Sequence, residues 1–173
     1  MKSPLTAAFL ALAAFAALPQ AKPATQAQPA AQDDHQQGIV QRGDHVMGFS
    51  HDKATHHFRL YSDGGAIEVD SNSAADTATR DEIRMHFGHI IKMFAAGDFS
   101  APMLIHAQNP PGAETMKRLR DTIQFKLENT ERGARIRIIT RNADALGAVH
   151  EFLRFQIKDH QTGDSMEVAS APR

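Results

Sequence analysis

The chain contains no cysteine and no tryptophan, and only one tyrosine among its 173 residues. Without cysteine there is no disulfide framework, no thiolate zinc or iron–sulfur site, no cysteine nucleophile and no lipid-bearing N-terminal cysteine. Stability must therefore come from an ordinary apolar core. A charge excess of either sign is missing too: 19 Lys plus Arg face 20 Asp plus Glu, a net charge of −1, which argues against nucleic acid as a partner. The length suits one domain of about 100 to 150 residues and excludes a large two-domain enzyme. No phosphate-binding Gly-rich loop, His-Glu-x-x-His helix, Gly-x-Ser-x-Gly elbow or dinucleotide fingerprint occurs. Against these absences stand ten histidines.

Met1 and Lys2 precede an apolar run from Leu5 to Leu18 that ends at Pro19. That order reads as a secretory signal peptide over residues 1–27, with small-residue cleavage sites at Ala14-Phe15-Ala16 and Thr25-Gln26-Ala27. The run is shorter than the ~20 residues a spanning helix needs; an uncleaved anchor is the other reading. The expected compartment is the periplasm or exterior of a bacterium, with no membrane contact after cleavage. Residues 28–37, rich in Ala, Gln and Pro, read as a disordered tether. A single α+β domain is then expected over residues 38–164, with a flexible tail over 165–173.

Alternation marks the strands. His56, Phe58 and Leu60 alternate with His57, Arg59 and Tyr61, and Ile67 and Val69 with Glu68 and Asp70, across a turn at Ser62-Asp63-Gly64-Gly65. Val46 to Phe49 is a candidate earlier strand. Asp76 or Thr77 caps a helix to about Ala96 whose Ile83, Phe87, Ile90 and Phe94 form one buried stripe. The pattern then recurs. Ile123, Phe125 and Leu127 pair with Ile136 and Ile138 in a second hairpin, and Asn142 caps a helix with the stripe Leu146, Val149, Leu153 and Ile157. Between the two units, Ser100 to Pro111 reads as an irregular loop and Ala113 to Arg120 as a short helix. The expected fold is thus an antiparallel sheet of four to five strands, with two long helices and one short helix on one face. The arrangement reads as a ββα duplication that aligns Phe58 with Phe125, or as two unrelated units. The other face should carry paired charges such as Glu68, Glu128 and Arg135.

Successive helical residues rotate by about 100°, so Glu82, His86, His89 and Met93 share one flank of the first long helix. Imidazole, carboxylate and thioether together suit zinc, or copper if the methionine joins; alternatively these residues simply cover the core's edge. His56 lies on the apolar face of its strand, His106 in the long loop, and His150 on the last helix, where a twofold arrangement brings it toward His86. His57 should face solvent. His45 and His51 are weaker candidates, and His35 and His160, near the termini, are set aside. The expected metal set is therefore His86, His89, His56, His106, His150, Glu82 and Met93.

The stretches Arg42–Ser50, Thr55–Phe58, Gly97–Phe99 with Pro102-Met103 and Ile105-His106, Pro110–Gly112, and Phe152–Ile157 before Thr162–Asp164 resemble a group of small secreted bacterial proteins of unknown function. Some of these carry an automatic label of aspartate carbamoyltransferase. The resemblance implies no catalytic residues, and the labelled activity needs two α/β domains and a Ser-Thr-Arg-Thr loop that this chain lacks. The expected function is binding of zinc or copper, for sensing, buffering or delivery; an enzyme using His as a general base or a hydrolytic metal centre is chemically allowed, but nothing in the spacing demands it. A binding module for a small molecule or protein, its cleft under the Ser100 to Gly112 segment with His106 as a polar contact, is the alternative. The partners implied are a metal ion or small molecule, with a homodimer allowed.

Overall fold

The computed structural model describes residues 29–172; the expected signal peptide lies outside them. Its elements are α1 (Pro29–Met47), β1 (Ala54–Tyr61), β2 (Gly64–Ser71), α2 (Thr77–Ala95), α3 (Ser100–His106), α4 (Ala113–Arg118), β3 (Ile123–Asn129), β4 (Gly133–Thr140) and α5 (Ala143–Asp159). The fold is α+β. Its sheet has four antiparallel strands in the order β1-β2-β4-β3, so the two hairpins meet along their second strands. Among the described residues no helix is long and apolar enough to cross a membrane.

Local signals place the long helices. The Asp76 carboxylate accepts from the Thr79 amide at 3.0 Å and from the Thr79 hydroxyl at 2.8 Å, and Asn142 accepts from the Ala145 amide at 3.0 Å. Ile83, Phe87, Ile90 and Phe94 are all buried, as their spacing requires. On α5, Val149, Leu153 and Ile157 are buried while Leu146 sits at the rim. Each long helix crosses to the other hairpin: α2 lies chiefly over β3 and β4, and α5 over β1 and β2. Arg84 ties α2 there by donating to the carbonyls of Thr130 and Gly133. The close approach of α5 needs Gly65, where a Cβ would stand 2.2 Å from Leu153 Cδ1. One row across the inner face reads Phe58, Ile67, Ile136, Leu127. The pairing thus makes Phe58 equivalent to Leu127, two residues beyond the Phe125 that pattern matching selects.

On the outer face, Arg135 Nε donates to Glu68 at 2.6 Å and its Nη1 to Glu128 at 3.4 Å. Arg137 is only 5 % exposed. It lies 4.5 Å from the Tyr61 ring centroid and donates to the Gly65 carbonyl and the Asp63 carboxylate.

Four expectations need correction. Residues 29–37 are the first turns of α1, with Pro29 at its start, where a missing N–H costs nothing. Further along, Ile39 is buried and Val46 and Met47 pack against the core, but His35 and Gln36 hold these first turns through polar contacts, which apolar periodicity does not register. Val46 and Met47 end α1 rather than open a strand, because Gly48 turns the chain at φ +79° and Phe49 folds into the core. Ser100 to His106 is helical, since Pro102 falls within the first turn, where its ring is tolerated. The segment after Asp164 also follows an edge: Ala169 donates to the Leu60 carbonyl and accepts from the Ser62 amide, at 3.0 and 2.9 Å. It gives the outer edge of β1 hydrogen-bond partners.

Candidate functional site

Four histidine rings gather where α1, α3 and the end of α5 meet the start of β1. His56 projects from the inner face of β1, in the register of Phe58. His160 caps α5, and its ring lies 5.7 Å from that of His56 with planes 6° apart, and 5.5 Å from Phe58. His106 closes α3, is 2 % exposed, and meets His160 edge-on at 4.8 Å. His86 leans from α2 onto Phe49, with centroids 5.9 Å apart. Met47 completes the group, its Sδ 3.3 Å from His56 Nε2.

Two cavities share this wall. An inner one of about 70 Å³ lies under α3, between Ile105, Phe58, His86, His106 and Gln156. An outer cleft of about 260 Å³ runs along α1 past Gln36, Ile39 and Thr162. Met47, His56 and His160 line both.

Burial controls the charge state of these rings. It pushes His56 down to about 4, helped by neighbouring His86, and His160 down to about 3, helped by His56. His86 falls to about 4, again by burial and then by His89. All three are neutral imidazoles at pH 7. Asp159 stands behind them. Burial works to raise its carboxyl, but hydrogen bonds from His35 Nε2 at 3.0 Å and from His106 Nδ1 outweigh that and hold it below the ordinary carboxylate value.

Gln156, one helical turn before His160, is the anomaly. Its Oε1 lies 2.9 Å from His106 Nε2 and its buried Nε2 has no partner among the described residues. Because Asp159 accepts from His106 Nδ1–H, the neutral tautomer leaves Nε2 as an acceptor, and the amide then turns to donate to it. In either orientation one polar atom of Gln156 meets His106 and the other is left over. A buried polar atom without a partner costs ~1–3 kcal/mol.

The seven expected metal residues do not converge. His56, His86 and His106 reach the cavity. Glu82 and His89 are exposed, while Met93 packs against the core. Seven helical residues span nearly two full turns, so Glu82 and His89 share one edge of the flank and His86 and Met93 the other, nearer the core. His150 serves the opposite end of β1, donating to the carbonyls of Tyr61 at 2.9 Å and Gly64 at 3.0 Å. Among the described residues no group of three His, Asp or Glu side chains could hold a metal ion.

His57 lies on the outer face, bonded to Asp164 at 3.0 Å. His51 lies between Asp44 and Asp52, and His45 is exposed on α1. His160, set aside as terminal, belongs to the cluster, and His35, set aside with it, bonds Asp159 behind the cluster. The signal for His160 was present: Val149, Leu153, Gln156 and His160 continue one stripe of α5 in polar residues. Nothing in the sequence pattern pointed to Met47 or Asp159. No family model matches the chain, and no curated protein or solved structure matches it either.

Proposed function

We propose that the chain is an exported, non-catalytic binding module that takes a small, neutral, largely apolar molecule into the cavity beneath α3. The observation that carries this reading is the buried, leftover amide atom of Gln156, a residue that lines a largely apolar cavity. Binding sites of this kind combine apolar walls with a few placed polar groups. A ligand bearing one hydroxyl or amide would satisfy Gln156 while its apolar body replaced water against Phe58, Ile105 and the faces of neutral imidazoles. Uncharged rings accept such a ligand without stranding a buried charge.

Catalysis is less favoured by the same geometry. His106 and Asp159 form a pair of the type that orients a general base, but the nitrogen that would face a substrate, Nε2, is capped by Gln156. The test is calorimetric titration of the full chain with phenol, p-cresol and indole, against cyclohexane derivatives without a polar group. The hydroxyl- or N–H-bearing probes should bind, and Gln156→Leu should erase their advantage. Equal binding by polar and apolar probes, or no binding, contradicts the reading.

A further inference from the structure

We infer that β3 is a pairing edge and that a second copy of this chain docks on it, joining two four-stranded sheets into one, independently of the cavity. The two edges of the sheet differ. Along β1 the Ala169 segment and the Asp164 carboxylate occupy outward backbone groups, whereas among the described residues no segment pairs with the outer edge of β3. β3 holds no proline or glycine and its inner face carries no charge, devices by which a sheet edge is closed to a partner. Its single lysine lies on the outer face.

The backbone is set for pairing. The Thr140 amide donates to the Asp63 carbonyl at 2.9 Å, and the Thr130 amide donates to the Gly133 carbonyl at 3.1 Å. Backbone groups alternate between the two sides of a strand, so these bonds fix the phase of β4 and, through its register, that of β3. Gln124, Lys126 and Glu128 bond to β4, and the amides and carbonyls of Phe125, Leu127 and Asn129 point outward. Leu127 is also 40 % exposed, and it ends the inner apolar row that begins at Phe58.

Charge selects the partner and the register. On the outer face Glu68, Arg135 and Glu128 stand side by side across the sheet with alternating sign, so the strand that follows should set a cation beside Glu128. A second copy turned about a twofold axis at Leu127 does so. The two Leu127 residues exchange backbone hydrogen bonds, Phe125 faces the partner's Asn129, and Lys126 faces the partner's Glu128 on each side of the axis. These Lys–Glu pairs fall at the non-hydrogen-bonded positions, where side chains come closest, and the apolar row runs on through the two leucines. Centred on Lys126, the pairing would set like charges together; centred on Phe125, it would leave Lys126 opposite Gln124.

The experiment is sedimentation velocity of the full chain over a range of concentrations, with thermal unfolding to check that each variant folds. The parent should approach the mass of a dimer. Lys126→Glu and Glu128→Lys should each raise the dissociation constant about tenfold, because each sets like charges opposite one another on both sides of the axis. Lys126→Glu combined with Glu128→Lys restores opposite charges and should regain the parent's dimer, although the contact of Glu128 with Arg135 inside the chain stays lost. Leu127→Pro removes an outward-pointing amide, which an edge strand tolerates, and should be monomeric. A monomer at every concentration, which leaves the edge to water or to an extended segment of another protein, overturns the proposal; so does a dimer indifferent to the single swaps, or one that the double variant fails to restore.

Discussion

Acid should loosen this protein well before its carboxylates titrate. In the unfolded chain His56, His86 and His160 take up a proton near pH 6.5. In the folded chain burial holds them down to about 4, 4 and 3. The folded state therefore keeps neutral rings while the unfolded state gains protons, so stability is fully present above pH 6.5 and is lost as pH falls toward 4. At pH 5 the unfolded chain lies about 1.5 pH units below its midpoint, and at 1.36 kcal/mol per unit each ring withholds ~2 kcal/mol. Three independent rings would give about 6 kcal/mol, but neighbours are not additive, so about 4 kcal/mol is the working figure. Asp44 and Asp159 oppose the depression of His56 and His160, while His51, His57 and His106 reinforce it. Asp159 and Asp164 are both held below the ordinary carboxylate value, so their loss falls below the chosen window.

The assay is urea unfolding of chelator-treated protein at pH 7 and pH 5. With a slope of about 2 kcal/mol per molar urea, the midpoint should fall by about 2 M. His160→Phe keeps an aromatic ring against Phe58 and removes the proton site. It should lose less between the two pH values and equal or exceed the parent at pH 5. A midpoint independent of pH, or a variant with the parent's full pH dependence, refutes the reasoning.

Other predictions concern the frame around the cavity. Phe152→Ala removes a ring that meets Phe94 and Phe99 edge-on at 6.1 and 5.9 Å; thermal unfolding should register a loss of ~3–5 kcal/mol. Gly65→Ala sets a methyl 2.2 Å from Leu153 Cδ1 and 2.5 Å from the Arg59 carbonyl, and denaturant unfolding should show a loss of about 1–3 kcal/mol. The Asp164 side chain is only 5 % exposed, and its carboxyl stays below the ordinary value although burial works to raise it, because the Phe58 amide, the Thr162 hydroxyl and His57 donate to it. Asp164→Ala should release the segment that follows, seen as faster proteolysis near Ser165 and loss of amide protection at Ser62 and Ala169.

The parts of the fold written in periodicity were legible. Ile83, Phe87, Ile90 and Phe94 declare a helix face, and Phe58 with Leu60 and Ile67 with Val69 declare strands, because burial of one face imposes the spacing directly. What escaped was held by side-chain hydrogen bonds. Residues 29–37 carry no apolar stripe, yet His35 and Gln36 fasten them to Asp159 and Arg42 fastens α1 to the Ile105 carbonyl. The same limit applies to the cavity. His56 and His106 were readable from their elements, whereas Met47, at the end of the preceding helix, and Asp159 and His160, at the end of α5, meet them only through tertiary packing. The α2 flank misled because sharing an arc does not mean sharing an environment: His86 turns inward and His89 does not.

The central claim is that Gln156 and the neutral histidine rings receive a small polar-headed ligand. The most direct measurement is a crystal structure of the protein soaked with phenol. The account predicts a ring beneath α3, its oxygen within hydrogen-bond distance of the Gln156 amide and its face against His56 or His160. An ordered water satisfying Gln156, undisplaced by phenol bound elsewhere or not at all, would contradict it.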